Sequence, residues 1–469
     1  MTRLAQIRGI ELAASGDSGR RRRRSRRPGQ PRDERERGVA LIMVLSAVAI
    51  LAVFVADMHE NTSTAFAVAT SQRDRLQAEY MAKSAVNLTR LLVGVEPQIR
   101  QTLAPMFQMM VGRAPPQIPV WQMATEILMP FCNMERANDA GTSMGMDFGT
   151  AQGFEDNPAT CEIQAIAENS MINVNDPLAR DGDQARRGNA MQLFALMGGY
   201  ASPSPYDPLF ERPDADGRTT SRLDVVSAVI DWWDQDSQRT IFDPGAATVD
   251  VAGAEDDVYS SFPDPYRIKN APYDSIEELR LIRGVGDDFW STFIQLRPDD
   301  PTARTVTIYG SGAVNANSAP PEVLLARLCS FIEGVSLCSN PLEAAKFVQL
   351  ITTIRSLIPI PLFTRSADFL TFLEGGGGAR DLYPSILAML GPDNPLLFTP
   401  IAIPQDQRRE ITRSFLTGAS ILYIEATGFA GRSQVRIKTI VNFHNRWTPP
   451  PPNAGSMPTL GILHHYRVD

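Results

Sequence analysis

Acidic residues are the side chains of this sequence with the clearest capacity for chemistry. Asp231, Asp234 and Asp236 close a helical segment, and Glu255, Asp256 and Asp257 follow across a Gly-rich loop. Hard oxygen donors at this density suit Ca2+, which takes six to eight oxygens and accepts irregular loops. The rival reading is a solvated acidic loop. The ligand set expected here is Asp234, Asp236, Glu255, Asp256 and Asp257, with Ca2+ as the cofactor. Four cysteines form the second group. An even count outside the cytoplasm favours pairing. Of three connectivities the spacing favours Cys132 with Cys161 and Cys329 with Cys338, against the alternative of four buried thiols. His59, His444, His464 and His465 stand near no nucleophile motif, and no HExxH or CxxC is present, so neither catalysis nor a Zn site is expected.

The elements that must position these residues begin with a strongly biased N-terminus. Residues 1–38 hold 12 Arg, no Lys and 5 acids, a net of +7, within a chain of net charge −8. The remainder therefore carries −15, which argues against generic nucleic-acid binding. Arg20–Arg24, Arg26 and Arg27 precede an uncharged run from Val39 to Ala56. Eighteen helical residues rise about 27 Å, enough to cross a bilayer core. Arginines on one side only place the N-terminus in the cytoplasm and the rest outside. A secretory signal is the competing reading, but helical character runs on. No Gly or Pro occurs from Val39 to Val93, and Leu76, Tyr80, Ser84, Leu88 and Leu92 recur at i+4. Gly94 and Pro97 are expected to end that helix.

A basic leader, then Arg37-Gly38-Val39-Ala40-Leu41-Ile42, then a long half-apolar helix, resembles a type IV pilin or type II secretion pseudopilin. The family usually carries Glu at the fifth mature position, where this chain has Met43. The minor pseudopilin of the K type is the member that lacks it. Ile172-Asn173-Val174-Asn175-Asp176, Val229-Ile230-Asp231-Trp232-Trp233-Asp234, Gly253-Ala254-Glu255-Asp256-Asp257, Pro265-Tyr266-Arg267, Ser275-Ile276-Glu277-Glu278-Leu279-Arg280 and Val314-Asn315-Ala316-Asn317-Ser318-Ala319 look like K-type signatures in family order. The resemblance implies cleavage and methylation by prepilin peptidase between Gly38 and Val39. It also implies a non-enzymatic subunit of the inner membrane, with a periplasmic head at the pseudopilus tip. Its partners would be other minor pseudopilins of the tip complex, with no nucleic acid. Such a subunit would help initiate pseudopilus assembly and protein export across the outer membrane.

The implied fold is α+β: a long N-terminal transmembrane helix on a small antiparallel sheet, with a large helical insertion of SAM-like or helix-hairpin-helix-like character. The expected divisions are a leader at 1–38, a transmembrane and stem helix at 39–93, and the first part of the head at 94–175. The insertion follows at 176–404, then the last strands at 405–447 and a Pro-rich tail at 448–469. The tail is expected to be extended and poorly ordered. Ile421 to Phe443 alternates around Gly431-Arg432-Ser433, which predicts a hairpin. Ile276 to Gly286, with its Gly284-Val285-Gly286 turn, resembles a helix-hairpin-helix and supplies the alternative reading, a pilin-like DNA-uptake protein. Asp287 and Asp288 beside the turn would repel phosphate.

Overall fold

The computed structural model describes residues 34–112, 114–132, 159–175, 182–200, 203–211, 213, 217, 219–295, 304–332, 334–358, 361–376, 381–391, 393–443 and 460–469. The basic cluster of the leader, His444 and Pro449–Pro452 lie outside them. The chain divides into two units, Met1–Thr70 and Ser71–Asp469.

In the first unit every described residue is helical, the opening part of helix α1 (Glu34–Val111). Val39 to Ala56 is exposed throughout, and the helix is long and apolar enough to cross a membrane. Ser46 donates its hydroxyl to the Ile42 carbonyl at 2.8 Å, so the polar group of the run is satisfied inside the helix. A hydrocarbon environment demands that.

The second unit is organised by a four-stranded antiparallel sheet. In chain order the strands are β1 (Thr160–Ala167), β2 (Ile172–Asn173), β3 (Gln238–Asp243), β4 (Thr248–Ala254), β5 (Val306–Thr307), β6 (Val314–Asn315), β7 (Phe415–Leu416), β8 (Ile421–Ala430), β9 (Ser433–Asn442) and β10 (Ile462–Val468). The main sheet has the order β1-β8-β9-β10. The predicted hairpin is β8–β9, turning through Gly431 at φ 55°.

One face of the sheet lies on α1. Ala78, Ala82 and Ala85 are fully buried there, with Leu422, Ile424, Ala426 and Ile437 opposite. Small residues on both sides let the backbones approach. At Gly428 a Cβ would stand 1.9 Å from the Ala78 carbonyl oxygen and 2.9 Å from the Ala82 nitrogen. Helix α2 (Ala124–Cys132) packs on β1 beside it, and Thr125 donates its hydroxyl to the Ile163 carbonyl at 2.7 Å. The Cys132–Cys161 disulfide joins the same two elements. The other sheet face meets the insertion through Ile166, Met171, Tyr423 and Ile440.

Three local expectations are corrected. Helix α1 does not end at Gly94 and Pro97 but runs through Pro97 and Pro105 to Val111. Buried Val93 and Glu96 hold that turn, Glu96 accepting from the Ile118 N–H at 3.1 Å. The large residues at i+4 are not one packing face. Leu76 and Tyr80 are exposed, whereas Leu88 and Leu92 pack on the core. Each i+4 step advances about 40° around a 3.6-residue helix, so Leu76 and Leu92 lie nearly opposite. The third correction concerns the tail, whose Ile462–Val468 is the fourth strand, paired with β9. Every residue of β10 is exposed, so no alternation betrayed it.

Two copies of one loop-tying device join the insertion to the chain on either side of it. Strand β2 pairs in parallel with β5, and β6 with β7. Asn175 accepts from the Tyr273 N–H at 2.9 Å and donates to the Tyr273 and Ile308 carbonyls. Asn317 accepts from the Phe363 N–H at 2.8 Å and donates to the Phe363 and Thr417 carbonyls. The Asn-x-Asn signatures are therefore structural. Their amides satisfy loop groups that regular ladders leave open. The Gly284-Val285-Gly286 turn joins a 3-10 helix (Ile276–Leu281) to a short α-helix (Asp287–Phe289), with the Gly284 α-carbon against Thr220 and Val225.

Gly428→Ala should lower stability by about 3 kcal/mol, because the added methyl meets helix backbone that cannot rotate away. Gly286→Ala, where a Cβ meets nothing within 4 Å, should leave it unchanged. Denaturant midpoints of the full chain in detergent check the pair. Equal midpoints for both variants would contradict the packing argument.

Candidate metal centre

The carboxylates converge at the end of one helix. The helix Arg222–Trp233 starts at a capping box in which Ser221 accepts from the Asp224 N–H and Asp224 accepts from the Ser221 N–H, each at 3.2 Å. Its apolar face, with Val225, Val226, Val229 and Ile230, is buried in the insertion core. Asp231 and Asp234 lie one turn apart, at i and i+3, so their side chains share a face. The β3–β4 hairpin then returns the chain and delivers Glu255 at the start of a 3-10 helix, Glu255–Asp257. Asp231, Asp234 and Glu255 are all buried, and one oxygen of each lies within 4.8 Å of the others.

This set differs from the expected one. Asp231 belongs to it, while Asp236, Asp256 and Asp257 do not. Asp236 turns to Arg186 and caps its own loop through the Gln238 N–H at 2.8 Å. Asp256 accepts from the Ile268 N–H at 3.0 Å, and Asp257 is exposed. Successive residues of a 3-10 helix point about 120° apart, so only one of three adjacent acids can face the cluster. The i, i+3 spacing of Asp231 and Asp234 was the signal in the sequence. The element between the acids is a hairpin, not a loop.

Burial and mutual repulsion leave the three groups reluctant to ionise. Asp231 is pushed up to about 7 by desolvation and the Asp234 charge, against the Thr240 N–H, which donates to it at 2.8 Å. Desolvation likewise raises Asp234 to about 6, opposed by Arg186. Glu255 rises to about 8, by desolvation and then the charges of Asp231, Asp234 and Asp236. Asp234 Oδ1 and Glu255 Oε1 are buried with no hydrogen-bond partner. Orphaned buried carboxylate oxygens are costly, and a divalent cation would satisfy them. The donors are all hard oxygens, so they fit Ca2+.

The remaining site residues are placed as follows. Cys329 is bonded to Cys338, closing the turn between the helices Pro321–Cys329 and Ser336–Ser339. Gly38 lies in α1, and a Cβ there would meet nothing within 4 Å. Val39 to Ala56 is the exposed apolar stretch already described.

In the absence of divalent cations, the cluster should make stability fall as pH rises. Unfolded carboxylates titrate near about 4, whereas the folded cluster retains protons to between about 6 and about 8. Across that window the unfolded chain holds fewer protons, so stability declines with increasing pH. Glu255→Gln removes the highest of these groups and should flatten the decline between pH 5 and pH 8. Melting temperatures of both proteins in chelator check this. A decline equally steep in the variant would contradict it.

Comparison with known proteins bears on the same region. The family profile for "Type II secretion system (T2SS), protein K" matches residues 171–296, which include all three clustered carboxylates. The "Type II secretion system protein K" of Pectobacterium carotovorum subsp. carotovorum is 26% identical over 258 residues, 55% of this chain. That match spans 60% of the relative's length. A solved structure, the GspK-GspI-GspJ complex from the type 2 secretion system of enterotoxigenic Escherichia coli, aligns with a TM-score of 0.35 at 11% identity. The alignment covers 67% of this chain and 81% of that one. The family profile and the Pectobacterium relative thus show that this chain, with its long apolar helix, antiparallel sheet and helical insertion, is similar to the type II secretion system protein K family, the K-type minor pseudopilins.

Proposed function

We propose that this chain is a non-enzymatic subunit at the tip of the type II secretion pseudopilus, anchored in the inner membrane by Val39–Ala56 with its head in the periplasm. There it helps initiate pseudopilus assembly and export across the outer membrane. The observation that carries this reading is Met43. A repeating subunit buries its N-terminal amine among apolar helices, where an unpaired charge costs several kcal/mol. Met43 offers a neighbour's amine no carboxylate, so a homopolymer would bury one uncompensated charge per subunit. The position is tolerable where nothing stacks above. The large insertion on the head supports the same place.

Prepilin peptidase is the partner at Gly38. No neighbour demands a glycine there, since a Cβ would stand in open space, so the residue fits a role in recognition by the peptidase. The partners in the filament are other minor pseudopilins. The exposed side chains Leu76 and Tyr80 on α1 offer them an apolar contact. Calcium, held by Asp231, Asp234 and Glu255, locks the hairpin to the helix Arg222–Trp233 and rigidifies the insertion that the tip presents. Binding to the folded state alone raises stability with the logarithm of free calcium over Kd.

Two measurements test this function. Intact mass of the membrane-purified protein should give Val39 as the mature, methylated N-terminus, and Gly38→Ala should retain the leader while folding normally. A different N-terminus would reject the assignment. Met43→Glu should leave secretion of exoproteins nearly unchanged in a complemented strain, because no subunit above requires or lacks the charge. Loss of secretion in that variant would contradict the tip position.

A further inference from the structure

Arg186 stands beside the cluster and is not one of its oxygen donors. It lies on the helix Gly182–Leu196, which packs on the helix Arg222–Trp233, and its side chain is 17% exposed. One guanidinium nitrogen donates to Asp234 Oδ2 at 3.2 Å and to Asp236 Oδ2 at 2.5 Å, and another donates to Asp183. The fork therefore occupies one oxygen of Asp234 and leaves the other, Oδ1, buried without a partner. Among the other cations nearby, Arg222 is engaged by Asp207 at 2.6 Å and Arg239 by Asp224 at 2.8 Å, while Arg239 and Arg283 line the cavity on the Asp231 and Glu255 side.

We propose that Arg186 is the built-in counter-cation of this site: it compensates the Asp234–Asp236 side while calcium is absent. The inference rests on the calcium reading above. Three buried carboxylates with no positive neighbour would oppose folding unless protonated. A guanidinium keeps its charge at all working pH values and bridges two carboxylates with one rigid fork. Its donors go to Asp183, Asp234 and Asp236 and not to Glu255, so Glu255 Oε1 stays unsatisfied and the guanidinium does not replace the ion. Once calcium supplies two positive charges, the compensation from Arg186 becomes largely redundant. The metal-free state depends on Arg186 more than the loaded state does.

The test is a set of thermal melts of the full chain in detergent micelles, in millimolar CaCl2 or in EGTA, followed by near-ultraviolet circular dichroism. Arg186→Gln should lose several degrees in EGTA and much less in calcium, so that the calcium-induced rise grows to about twice that of the parent. Arg186→Lys, which keeps the charge without the fork, should show the same asymmetry at smaller size. It decides the matter if the glutamine variant does not accumulate. Equal losses in both media would make Arg186 an ordinary ion pair and overturn this inference, leaving calcium binding intact. A parent protein with the same melting temperature in both media would overturn the calcium reading and this inference with it.

Discussion

The head depends on one close approach, the backbone of α1 against strand β8 at Gly428. A Cβ there would collide with the Ala78 carbonyl, and the alanines on the facing turns keep the same spacing along the helix. Once helix and sheet are seated at that distance, the opposite face of the sheet is free to receive the insertion. Tyr423 and Ile440 make that second contact, and a buried ion pair pins it. Arg304 donates to both oxygens of Glu168, at 3.1 and 3.3 Å, and Thr307 donates to the same carboxylate. Removing one partner of such a pair leaves a buried charge uncompensated, which costs about 3–5 kcal/mol. The sheet is thus the shared wall of two cores, one with α1 and one with the insertion.

The insertion resolves a different tension. Its helices and the paired Asn-x-Asn loops form a well-packed apolar core, yet the end of the helix Arg222–Trp233 buries carboxylates beside it. Packing alone gives no reason to place Asp231, Asp234 and Glu255 within reach of one another. Their repulsion opposes the fold that brings them together, and only a cation or protons relieve it. Arg186 supplies part of that relief, and the proposed calcium supplies the rest. A hairpin clamped to a helix by an ion would have few ways to loosen.

The legible parts of this architecture were those with strong periodicity or punctuation. The apolar run from Val39 to Ala56 declared its helix, and the Gly431-Arg432-Ser433 turn declared the β8–β9 hairpin. The helical segment closed by Asp231 and Asp234 is the helix Arg222–Trp233. What escaped had weak or misleading local signals. Pro97 reads as a stop, but tertiary contacts at Val93 and Glu96 carry the helix past it. Strand β10 buries neither face, so its pattern is that of a tail. The acidic site was visible as a density of carboxylates, yet its membership was not. Adjacent acids in Glu255-Asp256-Asp257 diverge, while Asp231 joins through helical geometry and a strand pairing that local pattern does not reveal.

The proposed tip position rests on a charge argument at Met43 and on the bulk of the head, and both concern what could stack above such a subunit. Purified filaments carrying an epitope tag in the exposed β3–β4 turn, labelled with gold and viewed by electron microscopy, address it directly. The account predicts label at one end of each filament, with the major subunit in large excess. Label distributed along the filament, at a stoichiometry comparable to the major subunit, would contradict it.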